Sequence, residues 1–330
     1  MTTSKDIHVP SLEVDPAILS SDDSSTDDSG SLASSTTSVA ESIFNYRRLH
    51  GRPYSSSHTT EYWNPVDDVQ NEAFDFLHNA HVMLSDDKLF QAPIGDDPAN
   101  VLDVGTGTGI WAIDFAHQFP NAKVTGTDMN ATQPSWVPKN CDFIVDDVLL
   151  DWSFPVNHFD FIHMRGLYGC VPDWTALHDK VFAHLKPGGW FEHVETEVKL
   201  ESDHVNLPPD HVFNVWADLF YKGGEKMGRS FAIAGGHQMK ELMEKAGFVE
   251  VVERKIKMPM HGWPRDKQLR EAGLMGQLAL DQAIEGLAVF LLTQIHQWDH
   301  VEAVAFTNKF RLESRKAANC AWLWRYVSMP

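Results

Sequence analysis

Cysteine is scarce in this chain of 330 residues: only Cys141, Cys170 and Cys320 occur. Their odd number and wide separation exclude a disulfide framework and a Cys-x-x-Cys zinc site, and fit a reducing compartment, nucleus or cytoplasm. Positive charge is in deficit as well. Lys and Arg total 27 against 46 Asp and Glu, a formal net charge of −19. No cationic excess is there to displace counterions from a phosphate backbone, so direct nucleic-acid binding is not expected. No uninterrupted apolar run reaches the ~18–20 residues that cross a bilayer. The longest candidate, residues 287–295, is too short, and no membrane span is expected. The N-terminus lacks a basic region followed by an apolar stretch, so no secretory signal is read there. The 17 His residues show neither an HExxH pattern nor Cys/His ligand spacing, and no metal is expected.

The chain does have the means to build a core, with 43% apolar and 11% aromatic residues. Residues 21–38 stand apart, with eight Ser, three Thr and four Asp. Such a stretch has almost no apolar surface to offset its ordering entropy. We therefore expect a disordered Ser/Asp-rich tail over 1–40 and a helical extension over 41–98. A main domain follows over 99–330, with helical insertions near 202–236 and 259–318. Within the extension a helical period starts at Glu61 and carries Val69, Ala73, Phe76, Leu77, Ala80 and Leu84 on one face.

From Asn100 strand and helix patterns alternate. Short apolar strands are expected at 100–104, 123–129, 142–145, 159–164 and 190–194, with helices at 110–119 and 173–185 between them. Further helices follow at 210–222, 237–246 and within 265–313, and two more strands at 249–257 and 321–327. This rotation predicts an α/β fold: a Rossmann-like, doubly wound, seven-stranded sheet with parallel core strands and helices on both faces.

The informative stretch is VLDVGTGTGI, residues 101–110. An apolar strand delivers Asp103, then Gly105, Gly107 and Gly109 alternate before a helix. Glycines belong where the backbone turns sharply and where a ligand lies against the main chain. The helix start offers free N–H groups to an anion. Asp128 closes the next strand, nineteen residues after Gly109, placed to accept from ribose hydroxyls. A dinucleotide site spaces its glycines G-x-G-x-x-G. Here the spacing is G-x-G-x-G with an acid two residues ahead, which a pyrophosphate would not favour. The ammonium and sulfonium of S-adenosylmethionine are stabilised by that acid, while its carboxylate is expected at the helix N-terminus. Asp146 and Asp147, after the third strand, are placed to accept from the adenine amine.

These segments, together with FDFIHMRGL (residues 159–167) and LKPGGWFEHVE (185–195), resemble the class I S-adenosylmethionine-dependent methyltransferases. A narrower resemblance is to the fungal LaeA-like group. It rests on Gln133-Pro134, Trp136-Val137-Pro138, residues 161–165, Val171-Pro172-Asp173-Trp174, Gly228-Arg229, Ala246-Gly247-Phe248 and Trp263-Pro264, and it spans about 41–330. The chain departs from the group at its end, CAWLWRYVSMP. The resemblance implies S-adenosyl-L-methionine as cofactor, held by Asp103, Gly105, Gly107, Gly109, Asp128 and Asp146 or Asp147. It also implies a link to secondary metabolism or its regulation, with velvet-type regulatory proteins as partners in the group.

The acceptor is not legible: a small-molecule metabolite or a protein both fit. Methyl transfer requires a general base only when the nucleophile starts protonated. Candidates near the methyl group are His163, Arg165 and His193, with Tyr168 and Glu195 beside them. Arg165 suits either an acidic acceptor or a nearby carboxylate. Trp216, Met227, Met239, Trp263, Met275 and Trp298 are read either as lining an apolar acceptor pocket roofed by the inserted helices or as plain core. Three roles remain open: a metabolite-modifying enzyme, a regulator working with velvet-type partners, and a cofactor-binding module with little turnover.

Overall fold

In the computed structural model, residues 9–15, 46–55 and 62–330 are described. The Ser/Asp-rich stretch 21–38 lies outside them. A hairpin of β1 (Arg47–Leu49) and β2 (Arg52–Tyr54) leads to helix α1 (Asp68–Met83). The helix does not begin at Glu61. Asp67 accepts from Gln70 N and is gripped by the Arg52 guanidinium at 2.6 and 2.7 Å, so the cap fixes the start at Asp68. The preceding residues run irregularly and bury Trp63, while Val69 points to solvent.

The order then alternates: β3 (Asn100–Val104), α2 (Ile110–Gln118), β4 (Lys123–Asp128), β5 (Cys141–Val145), β6 (Phe159–Arg165), α3 (Trp174–His184) and β7 (Leu185–Thr196). These five strands pair in parallel in the order β5-β4-β3-β6-β7. After α4 (Val212–Met227) and α5 (Gln238–Ala246) come β8 (Val252–Pro259), α6 (Lys267–Phe290), α7 (His300–Ser314) and β9 (Trp322–Met329). β9 inserts between β7 and β8, antiparallel to both, so the seven-stranded sheet is mixed rather than all parallel.

Period-two alternation decides the faces. Val101, Phe161 and Val194 pack under Trp111 and Phe115 of α2. Leu102, Ile162, Met164 and Phe191 face Leu177 and Val181 of α3 and Met239 and Met243 of α5. A separate helical layer, with Phe213, Trp216 and Phe220 of α4, Ile284 of α6 and Phe310 of α7, forms its own aromatic core.

Two expectations are corrected, and a third segment needs the fold to be read. Residues 9–15 are docked: Val14 bridges Pro264, Asp15 N donates to Trp263 O, and Arg270 pairs with Asp15 at 2.7 Å. Val249 is exposed and Glu250 has φ of 57°, so β8 starts at Val252. The segment Lys267–Ile295, α6 plus a π-helical turn at Leu291–Ile295, is long and apolar enough by composition to cross a membrane. In this fold it is a core helix: Ala272, Gly276, Ala283 and Ile284 are buried within the protein.

Candidate functional site

The glycine loop after β3 is shaped by its neighbours. Gly105, Gly107 and Gly109 have φ of 68°, 58° and 81°, a region that costs an ordinary L-residue about 1–2 kcal/mol. A Cβ on Gly105 would collide with Leu167, and one on Gly109 with Phe143, whereas one on Gly107 would meet nothing. Gly107 therefore faces open space. Its carbonyl accepts from Thr132 Oγ1 at 2.8 Å and Gln133 Nε2 at 2.6 Å, and its N–H donates to Asp128 Oδ2 at 2.9 Å. Asn130 N donates to the other Asp128 oxygen at 2.9 Å. The loop and the strand-end acid are thus one tied unit. Burial raises the proton affinity of Asp128, opposed by these N–H donors.

Gly105, Thr106, Gly107, Thr108 and Asp128 line a cleft of about 960 Å³ between the carboxyl ends of β3 and β6 and helix α1. A side pocket of about 450 Å³ shares Tyr62, Gly105, Asp128 and Leu167 with it and is lined by Met129, Asp146, Asp147, Val148 and Leu149. These residues suit the expected methyl donor: a backbone cradle that only glycine leaves open, a carboxylate for the ribose, and an apolar slot with two acids for the base. S-adenosylmethionine is the cofactor, and the cleft and slot would hold it.

The Asp103 carboxylate accepts from Thr106 Oγ1 at 2.6 Å and pairs with His163 Nδ1 at 2.8 Å. Nδ1 therefore carries the proton, and the His163 ring lies stacked on Trp111 at 3.9 Å. Arg165 ends β6 and donates to His78 Nδ1 at 3.0 Å, while His78 Nε2 donates to Asp114 at 3.0 Å. Burial holds His78 below its ordinary range, which suits an imidazole whose Nδ1 must accept. Asp103, His163 and Arg165 all line the cleft.

His193 is elsewhere. It points to the opposite face of the sheet, fully buried against Trp174 and His178, with its pKa pushed down to about 3 by desolvation. Its Nε2 lies 3.1 Å from Glu195. Glu195 accepts in turn from the backbone of Leu167 and Tyr168, and burial pushes its carboxyl up to about 8. The pair positions the loop after β6 from behind.

Beyond the cleft lies a second chamber of about 750 Å³, walled by Ala73 and Leu77 of α1, Trp216 and Phe220 of α4, Ala279, Leu280, Ala283 and Leu287 of α6, and Phe310 of α7. Cleft and chamber share Trp63, Phe74, Leu77, Tyr168 and Thr196. The helices expected to roof an acceptor site wall this chamber. Of the six Trp and Met residues considered for its wall, Trp216 alone lines it. Met239, Met275 and Trp263 belong to other core clusters, and Met227 and Trp298 pack on the outside of the helical layer.

Tyr62, Trp63, His78 and His81 of the cleft wall went unrecognised in the sequence. The helical period over 61–84 marked its apolar face and left the two His without a role; they gain one only when α1 lies across the strand ends. Among the described residues no three His, Cys, Asp or Glu side chains converge as a metal-ligand group.

Residues 76–253 match a family described as a methyltransferase domain. Methyltransferase pytC of Aspergillus terreus is 34% identical over 284 residues, covering 86% of this chain and 87% of its own. Secondary metabolism regulator LAE1 of Cochliobolus heterostrophus is 33% identical, covering 83% and 92%. Protein-methionine methyltransferase laeA of Emericella nidulans is 31% identical, covering 77% and 67%. With the glycine cradle, the tied Asp128 and the seven-stranded sheet in place, the chain belongs to the class I S-adenosylmethionine-dependent methyltransferases, in the LaeA-like group.

Proposed function

We propose that the enzyme methylates an apolar small molecule of fungal secondary metabolism, the process named in its LAE1 and laeA relatives. The observation that carries this reading is the shared neck: the cleft for the donor adjoins, through Trp63, Phe74, Leu77, Tyr168 and Thr196, a chamber walled mainly by apolar side chains. Bound S-adenosylmethionine supplies an activated methyl group on a sulfonium. The chain's own residues align the acceptor and keep water out, the two contributions an in-line displacement most needs. Glu197 is the one carboxylate on the chamber wall among the described residues. Burial raises its proton affinity, and Tyr326 donates to Oε1 at 3.2 Å. We assign it to receive the proton of a hydroxyl or amine acceptor.

A cofactor-binding partner with little turnover is not favoured, since such a module has no use for an acceptor chamber. The three unpaired cysteines support placement in the nucleus or cytoplasm. The test is label transfer. The full chain is incubated with methyl-tritiated S-adenosylmethionine and either a mycelial organic extract or mycelial protein. Label in the organic fraction supports the reading. Label confined to protein, as the name of the Emericella nidulans relative suggests for that enzyme, overturns it.

A further inference from the structure

The cleft holds a cation whose hydrogen-bonding fork is largely unused. Arg165 lines the same cleft as the glycine loop, and its one side-chain hydrogen bond among the described residues goes to His78. Acids surround it without reaching it. Asp103 is engaged by Thr106 and His163, and Glu192 by the backbone of Gln91 and Ala92. Glu195 is engaged by the backbone of Leu167 and Tyr168, and Asp114 by His78. A half-buried guanidinium left without a bonded anion is costly. His81 lies one turn along α1 on the same wall. It is 4% exposed, and its Nδ1 has no hydrogen-bond partner among the described residues.

We propose that Arg165, oriented by His78 and assisted by His81, is the anchor for the methionyl carboxylate of S-adenosylmethionine. This rests on the cofactor reading and makes it specific. A planar carboxylate matches the two-pronged guanidinium. The position expected from the sequence, the start of α2, already has an acid beside it: Thr108 Oγ1 donates to Asp75 Oδ1 at 2.6 Å. A second carboxylate there would meet like charge. An acidic acceptor is the other possible source of the anion, but Arg165 does not line the apolar chamber, whose wall carries a carboxylate of its own, Glu197. Arg165 would then hold the carboxylate of the donor and Asp128 its ribose hydroxyls, both from the wall of the cleft.

The test compares S-adenosylmethionine with its decarboxylated form, which keeps the sulfonium and the ammonium and lacks only the carboxylate. Calorimetry on the full-length wild type is expected to show at least about 100-fold weaker binding of the decarboxylated form, the size of a lost charge-assisted pair. Arg165→Met is expected to weaken S-adenosylmethionine by about as much and leave the decarboxylated form unchanged, with Arg165→Lys between. Equal weakening of both ligands by Arg165→Met assigns the residue a structural role and overturns the proposal, as does no change for either. If Arg165→Met fails to fold, the wild-type comparison decides: equal affinity for the two ligands overturns it. Wild type that binds neither ligand rejects the cofactor reading itself.

Discussion

Gly107 shows how one residue carries both conformation and function. Its left-handed φ is held by Thr132 and Gln133 on the carbonyl and by Asp128 on the N–H, and its missing side chain leaves the cleft open. The Gln133 that helped mark the subgroup therefore has a physical task, and Arg229 has a similar one, donating to Cys170 O at 2.9 Å to hold the loop after β6. The glycines and Asp128 were legible because their spacing along the chain is what shapes the loop. Arg165 and His163 were legible as residues at a strand end but not in their partners, which come from α1, α2 and the neighbouring strand. His193 sits in the core, where period two sends it to the α3 face, while His163 on β6 faces α2. Its burial has a measurable consequence. The unfolded chain titrates this group near 6.5 and the folded chain near 3. Between those values unfolding takes up a proton, so stability is lost as pH falls through that window. His193→Gln keeps a donor for Glu195 and removes the titration. Chemical denaturation at pH 7 and pH 5 is expected to show a smaller loss of stability for the variant, with methyl transfer retained; an identical loss would contradict the account.

Among the elements, those with a local signal were the readable ones. Asp173 caps α3, Gly247 in a left-handed conformation ends α5, and Asp299 caps α7, each with the residue type its position demands. The N-terminal segment was misread because composition near it is dominated by Ser and Asp, while its attachment depends on a few apolar and charged residues far along the chain. Leu12 and Val14 pack on the Trp263–Trp322 cluster, and Pro10 O accepts from Lys257, whose ammonium also lies 4.6 Å from the Trp322 ring. Deleting residues 1–15 is expected to lower the melting temperature by about 2–5 °C, as a loss of roughly 1–2 kcal/mol does in a domain of this size. Calorimetric scanning checks it, and an unchanged midpoint would mean the segment adds nothing.

At the scale of the molecule, the strand ends line the cleft proposed for the donor and the inserted helices wall the chamber proposed for the acceptor, and the two share one neck. The alternation of strands and helices made the first half readable. The chamber was not, because its wall draws on four helices distant in sequence, and small residues of α6 such as Ala279 and Ala283 create the space more than the Trp and Met residues do. Ala283→Trp fills that space. It is expected to lower methyl transfer at least about 100-fold while leaving cofactor affinity within a factor of about 3, since overpacking acts locally; equal loss of both would place the chamber outside the reaction. The most direct test of the whole account is calorimetric titration of S-adenosylhomocysteine into wild type and Gly107→Asp. Asp tolerates the left-handed backbone and puts a carboxylate into the cleft, so the account predicts one site per wild-type chain and no detectable binding in a variant whose fold and melting behaviour are preserved. A folded Gly107→Asp that binds with wild-type affinity would contradict it.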